Sequence, residues 1–184
     1  MDGPFGSARR FNGAGDGIAV AAQPNLKMDS GGITIGAWLK PERLDDYVFG
    51  YAGVNANWGI YSMFLTGGRP AYGFYGGGLL QYYVCNAVLP LNRTTQVTFS
   101  YTFGLGSSMR CYVNGIDVGG AWVWGNGGSP PQITGTLGFE IGHWAGTPTG
   151  TDAYWFQGAI DEPFVLGHAL NAAEVSSVVG HACR

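Results

Sequence analysis

The chain has 184 residues, enough for one domain around one core, which at this size buries roughly 70% of the surface that the unfolded form exposes. Charged residues are 11% of it, less than half the usual ~25%, beside 14% aromatics and 33 glycines; this excludes a disordered chain, which is rich in charge and poor in aromatics. A formal net charge of -3 with lysines only at Lys27 and Lys40 excludes a phosphate-binding, nucleic-acid surface, and no apolar run approaches the ~20 residues that insert across a membrane.

The opening Met1-Asp2-Gly3-Pro4 has neither a basic n-region nor an apolar h-region, so this chain shows no signal peptide. Strand-like runs bounded by turn residues follow at 17–22, 33–40, 47–53, 59–66, 70–76, 79–88, 95–103, 108–118, 137–143 and 154–166. In the second run Ile33, Ile35, Ala37 and Leu39 share one face, while Thr34, Gly36 and Trp38 share the other; within this strand Trp38 is read as a packing residue. Val97, Phe99, Tyr101 and Phe103 alternate in the same way with Thr98, Ser100 and Thr102. Asn114-Gly115 tolerates the positive φ angles of a type I′ turn and predicts a hairpin within 108–118. The glycine-rich stretch 119–135 reads as a long irregular loop, either a flap over a sheet edge or a contact surface, and its Trp122-Val123-Trp124 is expected to leave a ring exposed. Asn171-Ala172-Ala173-Glu174 has the spacing of a capping box, with Val175, Val178 and Val179 as an apolar stripe, and predicts one short C-terminal helix ending near Gly180.

Ten short strands without intervening helices imply an all-β sandwich or barrel, and the absence of a linker or repeat makes 1–184 a single domain. Cys85, Cys111 and Cys183 are an odd count rather than a disulfide framework. Cys85 and Cys111 are read as buried free thiols; a bridge between them requires their strands to face each other.

Five segments fall in a recognisable order. They are 11–20 (Phe11-Asn12-Gly13-Ala14-Gly15-Asp16 onward), 33–41, the Tyr112-Val113-Asn114-Gly115 hairpin, Leu137-Gly138-Phe139-Glu140-Ile141-Gly142, and 156–162 with 169–175. Together they resemble the laminin-G-like domains of the concanavalin A-like lectin/glucanase superfamily. The resemblance implies a two-sheet antiparallel jelly-roll sandwich with its first and last strands adjacent. It also implies a structural Ca2+ clipping those strands, an ion that takes 6–8 oxygens, with Asp16 and Asp161 as the side-chain candidates and the turn at Gly13-Ala14-Gly15 supplying carbonyls.

The glucanases of that superfamily carry an E-x-D-x-E pattern, which this chain lacks. The pairs Asp45-Asp46 and Asp161-Glu162 are adjacent, so an extended backbone points each pair to opposite faces, and His143, His168 and His181 do not resemble the Gln/His/Tyr/Arg set that the superfamily's polysaccharide lyases carry on facing strands. No catalytic residue is assigned. Sugar binding needs exposed aromatic faces and a few polar groups. The candidates are Trp58, Tyr75, Trp122, Trp124 and Trp144, followed by Tyr154 and Trp155, with Asn55, Asn57 and Asn126 as polar neighbours. The expected function is therefore a non-catalytic, lectin-like carbohydrate-binding module, extracellular or on a virion surface, with a glycan or other surface ligand as partner. The alternative is a structural or adhesion protein, such as a virion decoration or fibre protein, acting as a homo-oligomer or on virion partner proteins.

Overall fold

A computed structural model of the chain describes residues 2–3, 6–53, 59–132, 136–144 and 154–181. In chain order its strands are β1 (Asp2–Gly3), β2 (Gly6–Ser7), β3 (Arg9–Asn12), β4 (Ile18–Val20), β5 (Gly32–Pro41), β6 (Asp46–Gly53), β7 (Tyr61–Thr66), β8 (Arg69–Gly76), β9 (Leu79–Cys85), β10 (Thr95–Thr102), β11 (Arg110–Val113), β12 (Ile116–Asp117), β13 (Gly120–Trp124), β14 (Thr136–Ile141), β15 (His143–Trp144), β16 (Tyr154–Trp155) and β17 (Gln157–Leu166). They are followed by one helix, α1 (Ala172–His181), and no helix among the described residues is long and apolar enough to cross a membrane.

A six-stranded sheet runs β12–β11–β10–β5–β17–β3, and a seven-stranded sheet runs β13–β9–β8–β7–β6–β14–β4. The period-two alternation explains how they meet. Ile33, Ile35 and Leu39 of β5 and Val97, Phe99 and Tyr101 of β10 point inward from one sheet. Phe49 and Tyr51 of β6, Tyr61 and Met63 of β7, and Tyr72 and Phe74 of β8 point inward from the other, giving one continuous aromatic-rich core. The result is a jelly-roll sandwich in which β3 and β17 lie side by side, Phe11 opposite Gly158. Trp38, on the face of β5 away from this core, is only half-buried and sits in register with Asp161.

The C-terminal helix lies on the outer face of the six-stranded sheet, where Val175 is buried against Tyr112 and Leu170. Its capping box forms as the spacing predicts: Asn171 Oδ1 accepts from the Ala173 and Glu174 amides at 3.0 and 3.1 Å, and Glu174 Oε2 accepts from the Asn171 amide at 2.8 Å.

Three expectations are corrected. Residues 120–124 are not part of an irregular loop but an edge strand, β13, paired with β9. The opening strand that the resemblance implies over 11–20 is instead two strands, β3 at Arg9–Asn12, which pairs with β17, and β4 at Ile18–Val20, which pairs with β14. Cys85 and Cys111 are not free thiols: both are fully buried, and a disulfide joins them with 5.9 Å between Cα atoms. Cys85 ends β9 in one sheet and Cys111 lies in β11 of the other, so the bridge crosses the sandwich. Cys183 lies outside the described residues.

Candidate functional site

Residues of the seven-stranded sheet that alternate with the core form an outward face. One cross-strand row reads Ala19, Glu140, Gly50, Ser62, Gly73, Tyr82 and Trp124. The row beside it holds Tyr47, Phe64, Ala71 and Val84. The small residues make a floor on which aromatic rings lie. A Cβ added at Gly73 would stand 3.1 Å from the Phe64 ring, and one at Gly50 would stand 2.7 Å from the Tyr47 hydroxyl.

The rings stack in two groups. Phe64 and Tyr82 are nearly parallel, with centroids 5.0 Å apart and 5° between planes, and Trp124 continues from Tyr82 at 5.7 Å and 41°. Tyr47, Trp144 and Tyr154 form the second group, at 6.5 Å and 26°, then 5.6 Å and 21°. The short β15–β16 pairing brings Trp144 and Tyr154 into register. Phe64, Tyr82, Tyr47, Trp144 and Tyr154, with Asp45, Asp46, Leu65 and Thr66, line one cleft of about 180 Å³, and Trp124 stands beyond it against Tyr82.

A β-bulge decides which tryptophan reaches this face. In a regular strand Trp122 and Trp124 would share a side. The register shifts between them, so Trp122 pairs with core-facing Tyr83 and Trp124 with outward-facing Tyr82. Trp122 packs against the core, edge-on to Tyr83 and Tyr101, with Nε1 donating to the Gly106 carbonyl at 3.1 Å. Trp124 is 58% exposed.

The polar wall has two unlike carboxylates. Asp46 is buried: Oδ1 accepts from Arg43 at 2.6 Å and Oδ2 from the Gln157 amide at 2.9 Å, while Arg43 also donates to the Trp155 carbonyl. Burial raises the Asp46 carboxyl above the usual carboxylate range, against the opposing pull of Gln157 and Arg43. Asp45 is exposed, and its Oδ1 accepts from the Gly67 amide at 2.7 Å. Burial pushes the Tyr47 hydroxyl far above the phenol range; Ser62 opposes this and the Glu140 carboxylate reinforces it. Burial also raises Tyr82, with Thr66 opposing and the Asp45 charge adding.

The predicted residues divide accordingly. Trp124 and Trp144 reach this face, together with Tyr154. Trp122 serves the core instead. Tyr75 lies on the outward face of β8 opposite Leu80, beyond the cleft. Trp58, Asn55 and Asn57 lie outside the described residues, and Asn126 closes its own turn by accepting from the Gly128 amide. Sequence reading missed Tyr47, Phe64, Tyr82 and Asp45. The adjacent pair Tyr82-Tyr83 was the available signal, since neighbours in a strand cannot both face the core.

Asp16 and Asp161 share no hydrogen-bond or ion-pair partner among the described residues. Asp16 accepts from the Asn12 amide at 3.1 Å, and Asn12 is in register with Gln157. Asp161 lies four residues further along β17. Its own Oδ1 accepts from the Glu162 amide at 3.1 Å. Among the described residues no three His, Cys, Asp or Glu side chains gather as a metal site.

The chain matches the sequence profile of the concanavalin A-like lectin/glucanases superfamily over residues 12–176. It belongs to that superfamily. A comparison with curated proteins finds no match. Solved structures of similar fold include the CBM40 of a Ruminococcus gnavus IT-sialidase bound to α2,3-sialyllactose (TM-score 0.66, 17% identity, 94% of this chain and 95% of that one). Domain 4 of AbnA, a GH43 extracellular arabinanase from Geobacillus stearothermophilus, in complex with arabinotriose, is similar at TM-score 0.62 and 22% identity, over 97% and 79%. A heptameric SAP-like pentraxin from Limulus polyphemus is similar at TM-score 0.58 and 20% identity, over 89% and 81%. The fold of this concanavalin A-like domain is thus shared with these structures.

Proposed function

We propose that the domain is a non-catalytic carbohydrate-binding module that holds its sugar on the outward face of the seven-stranded sheet. The observation that carries this reading is a cleft presenting the half-buried Tyr82 ring and the exposed Tyr154 ring, each backed by buried aromatics (Phe64; Trp144 and Tyr47), with exposed Trp124 beside Tyr82. A free aromatic face flanked by a few polar groups is what a pyranose ring requires. The Asp46 carboxylate on this wall is engaged by Arg43 and Gln157, which suits a structural role better than proton transfer. Similar folds have been solved with sialyllactose and arabinotriose, which supports the sugar class without fixing the sugar. The Cys85–Cys111 disulfide fits an oxidising, extracellular setting. This reading rests on the aromatic cleft and does not require calcium.

The test is a glycan array followed by calorimetry on Trp124→Ala and Tyr154→Ala. Both rings are more than half exposed, so neither change should disturb folding. Each is expected to weaken binding about tenfold with an unchanged melting temperature. An array without hits, or variants that bind like the parent, would defeat the proposal. Adhesion through protein contacts would instead use exposed Val123 and Trp124 on edge strand β13; a stable oligomer in native mass spectrometry would favour that alternative.

A further inference from the structure

The charge around the cleft identifies a ligand class, an inference that rests on the carbohydrate-binding reading above. Among the described residues the cleft lining offers aromatic rings, Leu65, Thr66 and two carboxylates, and no arginine, lysine or histidine. Neither of the cations nearest in sequence, Arg43 and Arg69, is part of that lining. Arg43 is held by Asp46 and the Trp155 carbonyl, which cancels the Asp46 charge. Arg69 donates to the Cys85 carbonyl at 2.6 Å and to Asn86 Oδ1 at 3.3 Å. Asp45 is exposed and bound to an uncharged amide, and it has no ion-pair partner among the described residues. Its negative charge is therefore uncompensated beside Tyr82.

Aromatic ring faces present negative potential to whatever lies over them. Parallel rings next to an unpaired carboxylate attract a cation and repel an anion. The space, about 180 Å³, is below the roughly 300–1,000 Å³ of a site for a larger organic ligand and fits one sugar unit. We propose that the cleft prefers an amino sugar carrying a protonated ammonium, its ring against the exposed Tyr154 and its ammonium between Tyr82 and Asp45, and that it rejects acidic sugars.

The experiment is calorimetric titration of the chain with three probes at low and at physiological ionic strength: a β-1,4-linked glucosamine tetramer, the same tetramer fully N-acetylated, and sialyllactose. The glucosamine tetramer is expected to bind about five- to tenfold more tightly than its acetylated counterpart. That preference should shrink as salt screens the exposed carboxylate, and sialyllactose should not bind. Asp45→Asn keeps the shape of the side chain and an oxygen for the Gly67 amide, and it is expected to erase the preference. Should that variant melt early, the preference and salt dependence of the unaltered chain decide the matter alone. Equal or tighter binding of the acetylated tetramer, or binding of sialyllactose, overturns the charge preference and leaves the carbohydrate reading intact. No binding of any probe together with a silent glycan array overturns both.

Discussion

Trp122 and Trp124 show how much one residue's direction depends on its partner strand. The W-x-W pattern is visible in the sequence, but an unbroken strand would send both rings the same way. The extra residue, Val123, turns Trp122 to Tyr83 and Tyr101 and Trp124 to Tyr82, and nothing in the local alternation announces that register shift. Trp122→Ala is expected to cost about 3 kcal/mol in urea unfolding, because it opens space against the core and leaves the Gly106 carbonyl without its donor. Trp124→Ala should move stability by less than about 0.5 kcal/mol while weakening sugar binding. Equal stability losses in the two variants would show that the bulge does not separate them. Asp46 gives a second residue-scale test. Its folded-state pKa is raised, so the folded state holds this proton more tightly than the unfolded chain. Its contribution to stability is therefore greatest below the ordinary carboxylate range and declines as pH rises through the raised value. Melting curves between pH 3 and 7 should show the unaltered chain gaining on Asp46→Asn as pH falls; a difference that shrinks on acidification would contradict the assignment.

At the scale of elements, what the sequence disclosed tracks how local the signal is. The capping box of α1 needs only residues 171 to 174, and its predicted hydrogen bonds are present. Asn171→Ala is expected to cost about 1 kcal/mol in chemical denaturation, and Asn171→Ser much less, because serine retains the acceptor oxygen; equal losses would show that the cap contributes little. The long alternating strands β5 and β10 were equally legible, since half their side chains face one continuous core. β3 and β13 were not. Both are short edge strands paired on one side only, β3 with β17 and β13 with β9, and few of their residues are buried. An edge strand is defined by its neighbour, which the local sequence does not name. The same limit governed the site. Trp124 and Trp144 were found as exposed or loop-borne aromatics, whereas Phe64 and Tyr82 sit inside confident strands and reach the outward face only because Met63 and Tyr83 beside them take the core.

For the whole molecule, the bond that was hardest to foresee ties its two layers together. An odd cysteine count argued against a disulfide framework and left a Cys85–Cys111 bridge open only if their strands faced each other, and strand alternation places a side chain in the core without saying what stands across from it. Packing the sheets face to face sets the end of β9 over β11 and closes a loop of sequence separation 26. By loop-closure entropy such a bond stabilises the fold by about 3.5 kcal/mol, through the unfolded chain rather than through native contacts. The cleft is on the opposite side of the seven-stranded sheet from this bond, so the two properties should separate. The double variant Cys85→Ala with Cys111→Ala is expected to melt about 7–14 °C lower for a domain of this size. Its sugar affinity, measured well below the melting range, should match that of the unaltered chain. A variant that binds normally and melts normally would mean that the sulfurs are not bonded. One that loses affinity while still fully folded would mean that the sheet's outward face depends on the spacing of the layers beneath it, and the sandwich would then be part of the site rather than its support.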